Sequence, residues 1–330
     1  MQTVDLLSPG RIGGFDTRNR MVMAPMTRSR ALAGGVPSDL AIEYYAQRAS
    51  AGLIIGECTE ISPDAYGWAD TPGLWSAEQV RGWRGVTDTV HKKGSLMYAQ
   101  LWHTGAMSHP DFFDGALPMS ASNVNPKQES VAPSGKKATV TPRPMSKDEI
   151  RQTVADFGTA ANSLESGRVG IKIGPMNISG PFVANADTLP DMEYVIKKLN
   201  DYDLVHLLMM GATTDFTGGP LEHLAGDGMF QHFRPLYNGH LIANVDMTQE
   251  RGNRLIKTGL ADSIAFGRPF IANPDLPERF LTGATLNQIS WPTVYASGPE
   301  GYTDYPAMRG SSTDEDSPKR ARRQTEPLPS

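Results

Sequence analysis

Seven short β-rich runs alternate with helical stretches along this chain, and this alternation limits the possible folds more than any other feature. The runs cover residues 21–26, 53–58, 96–102, 169–174, 204–209, 241–244 and 263–267. Such alternation indicates a parallel sheet covered by helices. Repeated over roughly 300 residues, it favours a closed barrel of the TIM (β/α)8 type over an open doubly wound sheet. No G-x-G-x-x-G motif follows any of the runs, which argues against a Rossmann sheet.

Helices are predicted between these runs. Ser76 with Gln79, and Ser146 with Glu149, have the spacing of capping boxes. The predicted helices cover residues 38–50, 76–93, 146–165, 189–200, 249–257 and 274–281.

Only seven strand–helix units are present, so the sequence predicts an α/β barrel of the TIM type that lacks about one unit. The missing unit is expected between Ser163 and Arg168, where a long helix runs almost directly into Val169. Four arrangements remain open. The barrel closes with seven strands, or it stays open with two unpaired edges. Alternatively, the 103–145 loop or a second subunit fills the gap, or the sequence omits a coding segment.

One large domain is expected to span residues 1–309. Residues 103–145 form a long loop rich in Pro, Ser, Gly and Asn, predicted to lie over the mouth of the barrel. Residues 310–330 are polar and proline-rich, and we predict a disordered tail. Its basic cluster at 319–323 has the composition of a nuclear localisation signal, but short basic runs are common in tails, and a solvated tail is the favoured explanation.

Composition argues against several classes of partner. The formal net charge of −5 over 330 residues gives no electrostatic reason to expect nucleic acid or an anionic membrane. No apolar run approaches the ~20 residues that cross a bilayer, and the N-terminus lacks a secretory signal pattern. The single cysteine, Cys58, excludes an internal disulfide and fits a reducing compartment. These features predict a cytoplasmic protein.

Residues 262–276 contain a possible phosphate site. A strand-like run ends on Gly267 and Arg268, and Asn273-Pro274 has the pattern of a helix start. Glycine lets the backbone approach a ligand closely, and arginine supplies a forked cation. The alternative is a strand-to-helix turn with a surface arginine.

The residues at the other predicted strand ends favour binding over hydrolysis. Active sites of TIM barrels lie at the carboxyl ends of the strands. Here those ends carry hydrogen-bonding groups, two cations and an indole, namely Thr27, Cys58, Gln100, Trp102, His103, Lys172, Asn244 and Arg268. They carry no pair of carboxylates and no metal-ligand spacing, and H-E-x-x-H and G-x-S-x-G motifs are absent. This set suits a planar, phosphorylated, hydrogen-bonding molecule, and we predict no metal.

Five segments are long and specific enough to suggest a family. They are 23–30 (MAPMTRSR), 43–52 (EYYAQRASAG), 99–103 (AQLWH), 265–279 (AFGRPFIANPDLPER) and 300–306 (EGYTDYP). With these segments the chain resembles the Old Yellow Enzyme family of FMN-dependent ene-reductases. The resemblance implies a flavin-bearing (β/α)8 barrel that uses NAD(P)H as reductant.

The resemblance also implies roles for individual residues at the flavin ring. The backbone of Ala24, Pro25 and Met26 and the Thr27 hydroxyl would face its redox-active edge, where Thr27 would tune the flavin potential. The Gln100 amide would pair with the pyrimidine edge. Lys172 would replace a family arginine and stabilise the reduced flavin.

The remaining implied roles concern the phosphate, the substrate and the cysteine. Arg268, with the backbone of Gly267, Ala243 and Asn244, would hold the FMN phosphate. Trp102 and Tyr302 would line the substrate side. Cys58 stands where the family has a small residue beside the flavin, and a buried, inert thiol is favoured over a reactive one.

One family motif is missing. Family members carry a fourth strand ending in His-x-x-Asn or His-x-x-His, followed by a tyrosine two residues on. The first pair holds the substrate carbonyl, and the tyrosine protonates the carbon opposite the hydride. Because this segment is absent, water or a loop hydroxyl is expected to supply the second proton, and slow or atypical turnover is predicted.

The resemblance therefore predicts transfer of hydride from NAD(P)H through FMN to an electron-poor alkene such as an enal or enone, with specialised metabolism as the suggested setting. Two alternatives remain. The protein is a flavin-binding isomerase, cyclase or oxidase without net alkene reduction, or it is a degenerate, non-catalytic family member. The sequence leaves the substrate, the choice between NADH and NADPH, and the oligomeric state open.

Overall fold

The computed structural model describes residues 4–163, 168–176, 184–212 and 216–308, and its centre is one sheet of seven parallel strands. The strands are β1 (Met21–Met23), β2 (Leu53–Glu60), β3 (Leu96–Trp102), β4 (Val169–Ile173), β5 (Leu204–Met210), β6 (Leu241–Asn244) and β7 (Ser263–Phe266). Their order in the sheet is β4-β5-β6-β7-β1-β2-β3, and every pairing is parallel. All seven strand predictions are confirmed, and only their C-terminal ends differ.

Helices follow the strands and cover the outside of the sheet. They are α1 (Asp39–Gln47), α2 (Ala77–Lys92), α3 (Lys147–Asn162), α4 (Thr188–Lys198), α5 (Gly228–Phe233), α6 (Gln249–Lys257), α7 (Arg268–Ala272) and α8 (Leu276–Thr282). Both predicted capping boxes form, because Ser76 and Ser146 each exchange hydrogen bonds with the residue at the third helical position. The six-residue α5 was not predicted.

The helix start predicted at Asn273-Pro274 is wrong. The Asn273 side chain donates to the Pro269 carbonyl at 2.8 Å and accepts from the Asn287 backbone at 2.7 Å. It is therefore occupied with other partners, and α8 begins after Asp275 instead. The residues just after Gly267 form the separate short helix α7.

The core has two layers, as a barrel sheet requires. The inner layer lies on the concave face of the sheet and contains Ile12, Val22, Ala24, Leu53, Ile55, Leu208, Ile242 and Ala265. A larger outer layer lies between the strands and the helices. Ile12 belongs to a small hairpin, Gly10–Ile12 with Phe15–Thr17, which packs against the inner layer.

The sheet is open on one side. β3 and β4 are its two edges, and no pairing joins them within the described residues. A cavity of about 920 Å³ lies at this opening, lined by both edge strands, α2 and α3. Of the arrangements considered, the described strands adopt the open one. Residues 164–167, where the missing unit was placed, lie outside the described residues, as does the predicted tail from residue 310.

The 103–145 loop does not fill the opening. Its hairpin, Glu129–Ala132 with Gly135–Ala138, packs against the segment that follows β2, where the Ala69 amide donates to the Val131 carbonyl at 2.8 Å. A second pairing joins Met119–Ser120 to Arg143–Pro144. None of the residues lining the cavity belongs to this loop.

None of the helices in the described ranges has the length and apolar content that crossing a bilayer requires.

Candidate active site

The C-terminal ends of β1, β2 and β3, and of β4 at the opposite edge of the curled sheet, bring Thr27, Cys58, Gln100 and Lys172 together. The Cys58 thiol donates to Gln100 Oε1 at 3.0 Å. The Thr27 side chain hydrogen-bonds to the same sulfur, and the Lys172 ammonium interacts with it electrostatically. Four residues predicted from separate segments thus form one cluster, which we call the thiol cluster.

A bulge in β2 makes this cluster possible. Ile55 pairs with Tyr98, but Cys58 pairs with Gln100, so β2 has one residue more than β3 over this interval. The extra residue turns Cys58 to the concave face that Ile55 also occupies. Glu57 turns the other way, where its carboxylate accepts from the Arg28 backbone amide at 2.9 Å. The bulge therefore places the thiol against the Gln100 amide.

The thiol cluster contains one cation and one neutral thiol. Burial raises the pKa of Cys58 to about 12, although Lys172 and Thr27 oppose the rise. This supports the inert thiol over the reactive one. Lys172 is exposed to the cavity, yet the surrounding protein displaces bulk water and lowers the pKa of its ammonium.

A second group of predicted residues lies at the ends of β6 and β7. The Asn244 side chain donates to the Ala265 carbonyl at 2.8 Å and so ties these two strands together. A Cβ atom added to Gly267 would meet Met26 Sδ at 3.4 Å, so this turn lies against the end of β1. Arg268 is exposed, and its guanidinium lies 3.8 Å from Asp246. A cation beside a close backbone turn is suited to a phosphate.

The loop next to Arg268 is strained. Val245 has φ of 84° and Asp246 has φ of 47°, in the region that glycine usually occupies. Arg251 holds this conformation by donating to both carbonyls, at 3.1 and 3.3 Å, and by pairing with Asp227 at 2.8 Å. Strain that the surroundings enforce in this way is typical of ligand sites. Sequence reasoning missed this loop because no glycine marks it.

The structure separates Tyr302 from these groups, and its predicted place on the substrate side is wrong. The Tyr302 side chain is fully buried and stacks on Tyr44 at 4.1 Å between ring centres. Two arginines of the 23–30 segment explain this position. Arg28 donates to the Gly301 carbonyl at 2.7 Å, and Arg30 donates to the Glu300 carbonyl at 2.9 Å. The 300–306 segment is thus an anchor for the C-terminal part of the chain.

Trp102 ends β3 and remains a possible substrate contact. It is half-buried, and it pairs in register with Glu60, the last residue of β2. Glu60 was not among the predicted site residues. A second carboxyl group at the very end of β2, three residues after Glu57, was the available signal.

The histidines do not supply the missing motif. His206 is buried inside the sheet and stacks on Tyr98 at 5.6 Å. Burial, together with the charge of His240, lowers its pKa to about 4, so the imidazole is neutral. Gly170 makes room for this ring, because a Cβ at that position would lie 2.2 Å from it.

The residues present fit FMN. Thr27 and Gln100 offer a hydroxyl and an amide to the polar edge of a flavin ring, and Lys172 supplies a cation on the same face. The turn at Gly267 and the exposed Arg268 offer a phosphate site at the other group of strand ends. No group of three or more Cys, His, Asp or Glu side chains in the described ranges could hold a metal ion.

Comparisons with known proteins agree with this fit. A sequence model of the NADH:flavin oxidoreductase / NADH oxidase family matches residues 5–177. Putative 12-oxophytodienoate reductase 4 of Oryza sativa subsp. japonica is 32% identical, over 92% of this chain and 93% of that protein. 12-oxophytodienoate reductase 2 of Arabidopsis thaliana is 31% identical, over 94% and 98%. These alignments run over 366 and 372 positions, more than the 330 residues of this chain.

Solved structures show the same similarity. A morphinone reductase mutant in complex with tetrahydroNAD superposes with a TM-score of 0.84 at 32% identity, covering 93% of this chain and 98% of the other. An old yellow enzyme homologue from Zymomonas mobilis gives 0.83 at 31% identity, covering 92% and 99%.

Proposed function

The chain belongs to the NADH:flavin oxidoreductase / NADH oxidase family, to which the Old Yellow Enzymes belong, and we propose that it reduces electron-poor alkenes such as enals and enones with NAD(P)H and FMN. The observation that carries this proposal is the thiol cluster, in which side chains from the ends of β1, β2, β3 and β4 meet at one point. Bound FMN supplies the hydride chemistry, because it accepts hydride from NAD(P)H and passes it to the β-carbon of the alkene.

Each residue of the site has a part in this reaction. Thr27 and Gln100 orient the polar edge of the ring through hydrogen bonds. Lys172 places a positive charge where reduction adds negative charge, which stabilises the reduced form. Arg268 and the backbone at Gly267 hold the phosphate. Trp102 lines the substrate side.

We also propose that the opening between β3 and β4 marks a strand–helix unit that the relatives have and this chain lacks. Two observations support this. The alignments are longer than the chain, and two sheet edges with a cavity of about 920 Å³ lie where such a unit would pack. A transcript that encodes further residues between Ser163 and Arg168 would contradict this proposal.

The visible spectrum of the purified protein tests the function. A flavin spectrum that NADPH bleaches without oxygen, and that 2-cyclohexenone restores with loss of its double bond, supports the ene-reductase. A bound flavin that no alkene reoxidises would point to an isomerase, cyclase or oxidase. A colourless protein that FMN does not reconstitute would point to a non-catalytic member.

We further propose a cytoplasmic location, supported by the single cysteine, which fits a reducing compartment. Cell fractionation tests it, and recovery from an oxidising compartment would overturn it.

A further inference from the structure

A buried carboxyl group ends β2 on the same face as the thiol cluster. Glu60 is two residues beyond Cys58, so both side chains lie on one face of the strand, about 7 Å apart along it. Cys58 pairs with Gln100 and Glu60 pairs with Trp102, which places Glu60 one layer nearer the mouth of the barrel. Its side chain is fully buried.

The contacts of Glu60 leave one carboxyl oxygen, Oε2, buried without a hydrogen-bond partner among the described residues, which disfavours the charged form. Thr71 Oγ1 lies 2.9 Å from Glu60 Oε1 and 2.8 Å from the Trp68 carbonyl oxygen. A hydroxyl has one hydrogen, and a carbonyl oxygen can only accept. When Thr71 donates to Trp68, the contact with Glu60 needs a proton on the carboxyl group. The Trp102 indole Nε1 also has no hydrogen-bond partner among the described residues, so no donor from β3 stabilises a carboxylate here.

The electrostatic surroundings also favour the neutral form. Burial raises the pKa of Glu60 to about 8, and the contact with Thr71 only partly opposes this rise. The titratable groups that interact with Glu60 within the described ranges are Tyr66 and Cys58, and burial raises the pKa of each to about 12. Neither is a cation that would stabilise the carboxylate.

We propose that Glu60 is the acid that gives the second proton to the substrate, in place of the tyrosine that this chain lacks. This inference rests on the proposed function. A substrate seated against Trp102 would lie beside the carboxyl group, because Glu60 and Trp102 are register partners.

Transfer of a proton from Glu60 completes the reduction of the alkene. NAD(P)H is the reductant, and its hydride has formed the new C–H bond at the β-carbon. The electron pair left at the α-carbon then takes the proton of Glu60, so the O–H bond breaks as the second C–H bond forms. Glu60 is left as a carboxylate and regains a proton from water before the next cycle. The alkene is reduced, NAD(P)H is oxidised, and one solvent proton is consumed.

Stopped-flow kinetics of the holoenzyme test this role. Glu60→Gln keeps the shape of the side chain but removes the acid. We expect reduction of the flavin by NADPH to keep its rate, and reoxidation by 2-cyclohexenone to slow by about 10²–10⁴-fold. In the parent, the reoxidation rate falls as pH rises through about 8, because the acid form is lost. That pH dependence disappears in Glu60→Gln. Glu78→Gln, the same change on the exposed face of α2, leaves both rates unchanged.

Infrared spectroscopy of the flavin-free protein gives a readout independent of activity. The parent shows carboxylic-acid C=O absorbance at pH 6.5 to which both Glu57 and Glu60 contribute, and Glu60→Gln lacks the Glu60 band. Glu57→Gln serves as the matched control, because Glu57 is the neighbouring buried carboxyl on β2, with a pKa raised by burial to about 7. The Glu60 band persists in that variant.

Two results would overturn the proposal: parental reoxidation rates in Glu60→Gln, or the same infrared band in both proteins. If Glu60→Gln does not fold, Glu60→Asp keeps an acid and is expected to retain the pH profile at a lower rate, whereas a flat profile would refute the role. A parent that reoxidises with no alkene would overturn the proposed function, and this inference with it. If the parent reduces the alkene but the Glu60 variants do not show the expected loss of rate and pH dependence, only the proposed role of Glu60 is refuted.

Discussion

The Cys58 sulfur lies 3.0 Å from Gln100 Oε1, and this contact joins the ends of β2 and β3 at the predicted flavin edge. The thiol occupies one of the acceptor positions of the Gln100 amide. The resemblance to the Old Yellow Enzymes assigns this amide to the flavin ring and a small residue to position 58. With the role proposed for Gln100, cysteine at position 58 would compete with the flavin for this amide.

Replacing Cys58 by alanine should strengthen FMN binding. The substitution frees Gln100 Oε1, and one hydrogen bond is worth about 1 kcal/mol, which corresponds to about a fivefold lower Kd. Quenching of flavin fluorescence during titration of the flavin-free protein measures the Kd. Cys58→Ser keeps a donor at this position and should leave the Kd near that of the parent. Weaker binding in Cys58→Ala would show that the thiol supports the site.

Removing the charge of Lys172 should lower the midpoint potential of the bound flavin. The ammonium stabilises the extra negative charge of the reduced form, and a loss of about 1.4 kcal/mol corresponds to about 30 mV in a two-electron couple. Lys172→Gln tests the charge, and Lys172→Arg retains it in a forked form. A spectroscopic redox titration measures both. An unchanged potential in Lys172→Gln would show that the ammonium lies too far from the ring to matter.

Arg268 should distinguish FMN from riboflavin. Loss of a charge-assisted hydrogen bond to a phosphate costs about 1.5–3 kcal/mol, or about 10–100-fold in Kd. Arg268→Ala should therefore weaken FMN binding by this factor and leave riboflavin binding unchanged. Arg81→Ala on the exposed face of α2 is the control for a lost surface charge. Equal losses for both flavins would mean that Arg268 acts on the fold and not on the phosphate.

The strands and helix caps were predictable because they depend on short stretches of sequence. Ser76 and Ser146 each need only the residue three positions later to complete a capping box. Gly267 and Arg268 could be placed at a strand end for the same reason. Thr27 and Lys172 were placed by resemblance, and the structure brings them to the same sulfur.

The features that were missed depend on contacts between distant segments. Tyr302 is buried because arginines some 270 positions earlier bind the backbone around it, with separations of 270 and 273 residues. The β2 bulge that aligns Cys58 with Gln100 follows from pairing with β3, which the sequence of β2 alone does not specify. Glu60 was overlooked because its protonation follows from burial, and burial is a property of the folded chain.

Folding stability should fall as pH rises between 7.5 and 8.5, and Glu60→Gln should weaken this dependence. The folded-state pKa of Glu60 is raised to about 8 from an ordinary value of 4.5, so the folded protein binds more protons than the unfolded chain in this window. Its stabilising contribution is complete below the unfolded pKa and is lost as pH rises through about 8. The slope is at most about 1.4 kcal/mol per pH unit for one group.

Urea unfolding at several pH values measures this slope. The buried histidines oppose this trend near pH 6.5, because the folded-state pKa values of His206 and His240 are lowered to about 4 while their unfolded imidazoles lose protons around pH 6.5. The slope is therefore measured between pH 7.5 and 8.5, where their contribution is nearly complete. Glu57→Gln removes the smaller stabilising contribution of the Glu57 carboxyl group, which is lost as pH rises through about 7. A slope in Glu60→Gln equal to that of the parent would mean that Glu60 is ionised in the folded protein.

Val245→Gly should stabilise the protein without loss of FMN affinity. A β-branched residue at φ of 84° costs about 1–3 kcal/mol, whereas glycine adopts this conformation freely. Glycine raises the entropy of the unfolded chain by about 0.5–1 kcal/mol, so a net gain of about 1 kcal/mol is expected in urea unfolding. Val245→Ala keeps the strained φ and should give no gain. Arg251 continues to hold the loop in both variants, because it binds backbone carbonyls. A lower FMN affinity in Val245→Gly would show that the strained conformation itself shapes the phosphate site.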